Sequence, residues 1–205
     1  MFPNLLTYHV HRGDPLPAND ALAYQYILAG NGVFVRADTR FFAALLLIAS
    51  CAVRGLPPLH PCFHLRVPRM PASLLHTLLT DARRARQPDG GLNEVLYHFH
   101  HRGHTVQVCK PRQQASPTRV LAAGNNEPIL LCDLHSHGHM PAFFSTADNA
   151  DEQGIRLYAV IGRLDNAPEI QLRVGVCGYW QPLPVTAAFT DRGPFQDLYL
   201  KENPP

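Results

Sequence analysis

The run LHSHGHMPAFFSTAD, residues 134–148, constrains this chain more than any other segment. It spaces His135, His137, Ser145 and Asp148 as H-x-H, seven residues, S, two residues, D. Residues two apart on a strand share a face, so an extended 135–137 aims two imidazoles at one point. Gly138 and Pro141 then bend the chain away from the strand. Ser145 is placed to open a helix whose first turn carries Asp148, and S-x-x-D is a capping pattern in its own right. A fold that honours both halves of the run must bring a strand end against a helix N-terminus. Two histidines, a carboxylate and an open fourth position describe a catalytic zinc site, with one Zn2+ per chain. On an unbroken strand His139 would be a rival third ligand; Gly138 and Pro141 argue that the strand has ended by then.

The flanking sequence supplies elements to carry such a site. Residues 71–86 (PASLLHTLLTDARRAR) read as an amphipathic helix, with Leu74, Leu75, Leu78, Leu79 and Ala82 on one face. Pro71 suits the first turn, and Arg83, Arg84 and Arg86 complement the negative end of the dipole. QPDGG breaks the chain, and Asn93-Glu94-Val95-Leu96-Tyr97 begins a strand. Residues 95–101 and 105–110 form a hairpin around Arg102-Gly103, and a strand over 129–135 delivers the histidines. A short helix over 145–153 and β-rich runs at 155–163 and 169–178 follow. Upstream, 23–28 and 33–36 flank Asn31-Gly32, a hairpin turn signal. Asp38-Thr39 offers an N-cap for the apolar run FFAALLLIASCAV, which reads as a buried helix over 40–53, too short to span a bilayer. LPPLHPC is a linker, and 63–67 a short strand. The expected organisation is an N-terminal extension over 1–67 (hairpin plus buried helix), a core over 68–182 and a proline-rich tail over 183–205 along the surface.

Composition excludes several classes of function. A net charge of +2 with 17% charged residues gives no basic field for nucleic acid. Five cysteines, spread along the chain with no C-x-x-C, fit neither a disulfide scaffold nor a zinc knuckle, and Cys132 reads as a core thiol. There is no H-E-x-x-H, no phosphate-binding glycine loop and no G-x-S-x-G. His98, His100, His101 and His104 surround a hairpin turn and are expected to be mostly solvated. The start MFPNLLTYHVHRGD lacks the charged and apolar stretches of a signal peptide, so bacterial cytoplasm is the expected location.

The metal motif resembles the signature of the JAMM (JAB/MPN-type) metalloproteases, H-S/T-H-P, six residues, S-x-x-D, with a glutamate upstream where a strand follows a helix. The resemblance covers about residues 68–182. It implies an α/β fold with a cytidine-deaminase-like core, a mixed β-sheet flanked by helices, here with an N-terminal α/β extension. By the same resemblance His135, His137 and Asp148 are the zinc ligands, Glu94 is the catalytic carboxylate and Ser145 the oxyanion donor. The implied activity is hydrolysis of a peptide or isopeptide bond after a ubiquitin-like modifier. JAMM-like folds also serve as non-catalytic scaffold subunits, usually after losing ligands. Two departures stand out: Gly138 replaces the proline after the second histidine, and the glycines usual after the glutamate are missing. The whole chain also resembles JAB-type proteins of the ParB-related, ThiF-related cassette of bacterial mobile elements. That likeness implies ubiquitin-activating-like and ubiquitin-conjugating-like proteins as partners.

Overall fold

The structure, a computed structural model, describes residues 4–103, 105–122 and 130–202, with side chains to Leu200. The chain divides into two compact units. One comprises Met1–Val67 with Gln153–Ile155 and Gly175–Gln181; the other comprises Pro68–Glu152, Arg156–Val174 and Pro182–Pro205.

The N-terminal unit is built on five strands in sequence order: β1 (Leu6–Val10), β2 (Tyr24–Ala29), β3 (Gly32–Asp38), β4 (Phe42–Ser50) and β5 (Cys62–Leu65). β1 runs parallel to β2 and the other neighbours are antiparallel. The segment expected as a helix over 40–53 is therefore a strand, and no α-helix is assigned to the described residues of 1–67. A short run that is apolar throughout carries no period to tell a buried helix from a buried strand. Pairing on both sides, with β3 and β5, decides for the strand. The capping chemistry of Thr39 is real but serves a turn: its Oγ accepts from the amides of Phe41 and Phe42 at 3.1 and 3.0 Å. Ile27, Ala29, Phe34 and Leu45 form a core there, with Leu16 and Leu59 packed against it.

The second unit starts with α1 (Ala72–Ala82). Then come β6 (Leu96–Arg102), β7 (Thr105–Cys109), β8 (Gln113–Ser116), β9 (Arg119–Ala122) and β10 (Cys132–Ser136). The chain continues through α2 (Thr146–Asp151), β11 (Ile155–Gly162), β12 (Glu169–Val176), β13 (Tyr179–Leu183), β14 (Gln196–Asp197) and α3 (Leu198–Glu202), with Ile155, the end of β12 and Tyr179–Gln181 grouped with the first unit. The large sheet runs β13-β12-β11-β10-β6-β7, with β14 beside β12, while β8 and β9 pair only with each other. β10 is parallel to β11 and antiparallel to β6, so the sheet is mixed. Ile129 and His104, parts of the expected histidine strand and histidine run, lie outside the described residues.

Alternation along β10 and β6 separates a core face from a polar one. Cys132 pairs with Phe99 and Leu134 with Tyr97, and all four are buried. Tyr97 reaches α1, its hydroxyl donating to Asp81 at 2.8 Å, and Lys110 pairs with the same carboxylate at 2.6 Å. Asp133 opposite His98 and His135 opposite Leu96 occupy the other face.

Two expectations about chain ends change. α1 stops at Ala82 with no basic residue in its last turn. Arg83 instead donates to the Leu164 carbonyl at 2.7 Å and Arg86 to Asp165 at 2.6 Å, fastening a loop rather than complementing a dipole. The tail expected along the surface buries Leu183, Val185, Phe189, Phe195 and Leu198. Its prolines punctuate short elements between these apolar anchors: Phe189 packs edge-on against Phe99, and Met70 pairs with the backbone around it. Among the described residues no helix is long and apolar enough to cross a membrane.

Gly162, at the end of β11, is a point of close approach. A Cβ there would lie 2.4 Å from the Ala142 nitrogen and 2.5 Å from the Met140 oxygen. Gly162→Ala is expected to cost about 1–3 kcal/mol, because backbone rather than a flexible side chain must move. Chemical denaturation measures this; an unchanged midpoint would show that the 140–142 segment yields freely.

Candidate metal centre

β10 ends at Ser136, but His137 continues its line, its N–H donating to the Ile161 carbonyl at 2.8 Å. The two imidazoles therefore keep a common face, with Nε2 atoms 3.1 Å apart. The His137 Nδ1 lies 3.3 Å from the Pro141 carbonyl. A carbonyl only accepts, so Nδ1 carries the proton and Nε2 turns a lone pair inward. Gly138 then turns the chain with φ of 56°, a left-handed conformation closed to proline. Its departure from the family proline thus changes the turn as well as the side chain.

Ser145 is the N-cap of α2, and the capping and ligand readings of S-x-x-D are one arrangement. The Asp148 amide donates to Ser145 Oγ at 3.1 Å, while the Ser145 amide donates to Asp148 Oδ2 at 2.6 Å. Asp148 Oδ1 remains 3.4 Å from His135 Nε2, and Oδ2 lies 3.9 Å from His137 Nε2. Sequence reasoning missed what holds α2 in place. Arg173 of β12, buried, donates to Glu152 at 2.9 Å and to Asn149 at 2.7 Å, with its guanidinium 3.6 Å from the centre of the Phe144 ring. The one available signal was a lone arginine in the otherwise uncharged stretch IQLRVGV.

Glu94 lies two residues before β6 and is only 4% exposed. Its amide donates to the Ser116 carbonyl at 2.8 Å, and its Oε1 stands 4.0 Å from His137 Nε2. Burial pushes its carboxyl up to about 7; the positive charge of His135 opposes the rise and the negative charge of Asp148 reinforces it. For His137, burial first and then the neighbouring His135 depress the imidazole to about 4. Burial also works against a charged His135, but the hydrogen bond and charge of Asp148 outweigh it and raise the group. Asp148 is held below the usual carboxylate range: burial resists, and bonds to His135 and Ser145 prevail.

These side chains line one cavity of about 220 Å³, walled by β9 on one side and α2 on the other. His98 lies in the same cavity at 2% exposure, so it is not the solvated residue expected of a hairpin turn. Phe143, 43% exposed, sets its ring edge-on to His137 with centroids 4.7 Å apart. His139 points elsewhere, to Asp165 at 3.1 Å, and its side chain is 52% exposed.

Among the described residues, His135, His137 and Asp148 are the one group of three or more His, Cys, Asp or Glu whose ligand atoms converge, all within 4.8 Å. Tetrahedral zinc with bonds near 2.0–2.2 Å separates its ligand atoms by about 3.3–3.6 Å. The imidazole nitrogens are 3.1 Å apart, Asp148 Oδ1 is 3.4 Å from His135 and Oδ2 is 3.9 Å from His137; one atom from each residue lies within 4.8 Å of the others, so side-chain rotation alone would bring the set to that spacing. The donor set fits zinc.

Two imidazoles and a carboxylate, where a mixed sheet ends against a capped helix, define an α/β protein with a candidate metal centre. The family described as prokaryotic homologs of the JAB domain matches residues 71–174, just over half of the chain, and the chain belongs to it. The mixed sheet with few helices is compatible with a JAB-type fold. No curated protein matches the chain at a significant level.

Elemental analysis of the purified protein is expected to find about one zinc per chain, and none in a His135→Ala/His137→Ala double variant. Equal zinc in both would place the metal elsewhere. Ser145→Ala is expected to lower stability by about 1 kcal/mol through the lost cap. Because the cap also orients Asp148, it should weaken zinc binding by about 10- to 100-fold, measured by chelator competition.

Proposed function

We propose that this chain is a JAMM-type zinc metalloprotease, an isopeptidase that hydrolyses the bond after a ubiquitin-like modifier or related peptide. The observation that carries this reading is a single one: three convergent metal donors share a small cavity with a buried glutamate 4.0 Å from the nearest of them. The family includes metalloproteases. On this reading the sheet around β10, with α1 and α2, is the cytidine-deaminase-like core.

His135, His137 and Asp148 would hold the ion, and bound zinc supplies Lewis acidity that brings the proton of a water within reach of neutral pH. Glu94 Oε1 would accept that proton and return it to the departing amine, acting as base and then acid. Burial raises this carboxyl, the direction that suits a group taking up a proton and then giving it back. Ser145 Oγ accepts from the Asp148 amide, and its hydroxyl proton, which also serves the Asp148 carboxylate, would turn to a developing oxyanion. His137 is oriented by Pro141, and Asp148 by the capping box. Phe143 and β9 line the same cavity and would flank a bound substrate.

The glycine-ended modifier is the substrate class that the family likeness implies, and its tail would enter the cavity in extended form. Activating-like and conjugating-like proteins of a mobile-element cassette, in bacterial cytoplasm, would be the accompanying machinery.

The test uses zinc-loaded protein and a ubiquitin-like modifier fused through its C-terminal glycine to a reporter peptide, with products weighed by mass spectrometry. Wild type is expected to release the reporter. Glu94→Gln should keep its zinc and lose about 10²–10⁴ in rate, as expected for a missing general base. His137→Ala should lose both metal and cleavage. Wild-type rates in Glu94→Gln would remove Glu94 from the mechanism, and an inert zinc-loaded wild type would favour a non-catalytic scaffold.

A further inference from the structure

Ser136 stands between the two histidines and has no part in the chemistry above, yet it is fully buried. The β10–β6 ladder pairs His135 with Leu96. Carried one step further, the same register sets Ser136 opposite Val95, and the next step sets His137 opposite Glu94. Half of the Ser136–Val95 pairing is regular: the Ser136 amide donates to the Val95 carbonyl at 3.0 Å. The other half runs through a side chain, for the Val95 amide donates to Ser136 Oγ at 2.9 Å. In a regular antiparallel pair that donor would meet the partner's carbonyl.

The consequence falls on Glu94. Side chains directly opposite in such a ladder have Cβ atoms about 4.5–5.5 Å apart, which would press the glutamate onto the second histidine. A hydroxymethyl group inserted into the last rung lets the two strands part. Glu94 Oε1 ends 4.0 Å from His137 Nε2, beyond a direct hydrogen bond and within reach of a shared water. The departing Glu94 segment is caught by the Ser116 carbonyl, so both sides of the placement are fixed.

We infer that Ser136 is a positioning residue: its hydroxyl and amide together clamp Val95 and so set the Glu94 carboxylate relative to the histidines. The inference rests on the role proposed for Glu94 and adds the residue that places it. Alanine at 136 leaves the Val95 amide with no acceptor, and the rung must close onto the backbone carbonyl or open further. Either movement displaces Glu94, while the imidazoles, held by their own contacts, stay. Threonine keeps the hydroxyl.

The experiment compares wild type, Ser136→Ala, Ser136→Thr, Glu94→Gln and the Ser136→Ala/Glu94→Gln double variant. Readouts are zinc content, cleavage of the same modifier–peptide fusion, and hydrogen exchange at the Val95 amide. Ser136→Ala is expected to keep one zinc, to lose about 10- to 100-fold in kcat with KM unchanged, and to exchange its Val95 amide faster. In the Glu94→Gln background it should cost nothing more, because both changes remove one function. Ser136→Thr should restore the rate. A wild-type kcat in Ser136→Ala, or losses that multiply in the double variant, would overturn the assignment. If wild type proves inert, unchanged Val95 protection in Ser136→Ala still overturns the clamp. Faster exchange would then uphold it and leave only the hydrolase reading rejected. Should the alanine variant not fold, Ser136→Cys, similar in size but a weak acceptor, takes its place in every comparison.

Discussion

The pairing of β10 with β6 is the constraint on which the rest of the second unit depends. A strand presents alternate residues to opposite faces, and the register of two strands decides which alternates meet. Here one parity puts Cys132, Leu134, Tyr97 and Phe99 in the core, and the other puts Asp133, His135, Leu96 and His98 on the cavity side. Slipping the register by one residue would bury the histidines beneath α1 and send Leu134 and Tyr97 into the cavity. Hydrophobic burial on one face therefore enforces the polar arrangement on the other. Burying a large apolar side chain is worth about 1.5–3 kcal/mol, and several depend on this register, so the penalty for a slip far exceeds thermal energy.

The helix end solves a different problem. Asp148 is half-buried yet stays charged, whereas an isolated buried carboxylate would take up a proton instead. Its capping bonds to Ser145 and its contact with His135 hold it in the charged form. α2 has only six residues and no buried side chain of its own, so neither propensity nor an apolar face keeps it in place. Arg173 does that from below, bonded to Glu152 and Asn149 and stacked on Phe144, whose ring in turn lies 6.4 Å from that of His135. Removing one partner of such a buried pair typically costs about 3–5 kcal/mol, so the network is a rigid support rather than a surface contact.

How much of this was legible in the sequence follows from the range of each interaction. The candidate metal triad lies within fourteen residues and is governed by local rules, strand parity and helix capping, so its spacing could be read directly. α1, the β6–β7 hairpin and the paired runs that became β11 and β12 carry periodic or turn signals and were placed to within a few residues. The apolar run at 41–53 was not, because its character came from partners on both sides rather than from its own period. Arg173 was invisible for the same reason, and Ser136, though it fills the S/T position of the family signature, showed no role: each acts through a contact 21 or 41 residues distant in the chain. Gly138 was read as a place where the chain bends; the left-handed angle that makes the bend, closed to the family's proline, was not.

The electrostatics of the centre follow from the number of donors brought together. Two imidazole nitrogens and a carboxylate oxygen converge within a few ångströms, beside a second carboxyl, and the imidazoles and that carboxyl are buried. Lone pairs so crowded repel unless a positive charge sits among them. A single proton on His135 satisfies one imidazole and Asp148, while His137 stays neutral at the cost of an imidazole depressed to about 4. A divalent cation answers all three donors at once, which is why the geometry, and the neutral lone pair of His137 in particular, favours a metal over a proton. Glu94 then keeps its separate place outside the ligand set. It is close enough to exchange a proton with water in the cavity and is held from joining the donors by the strand that carries it.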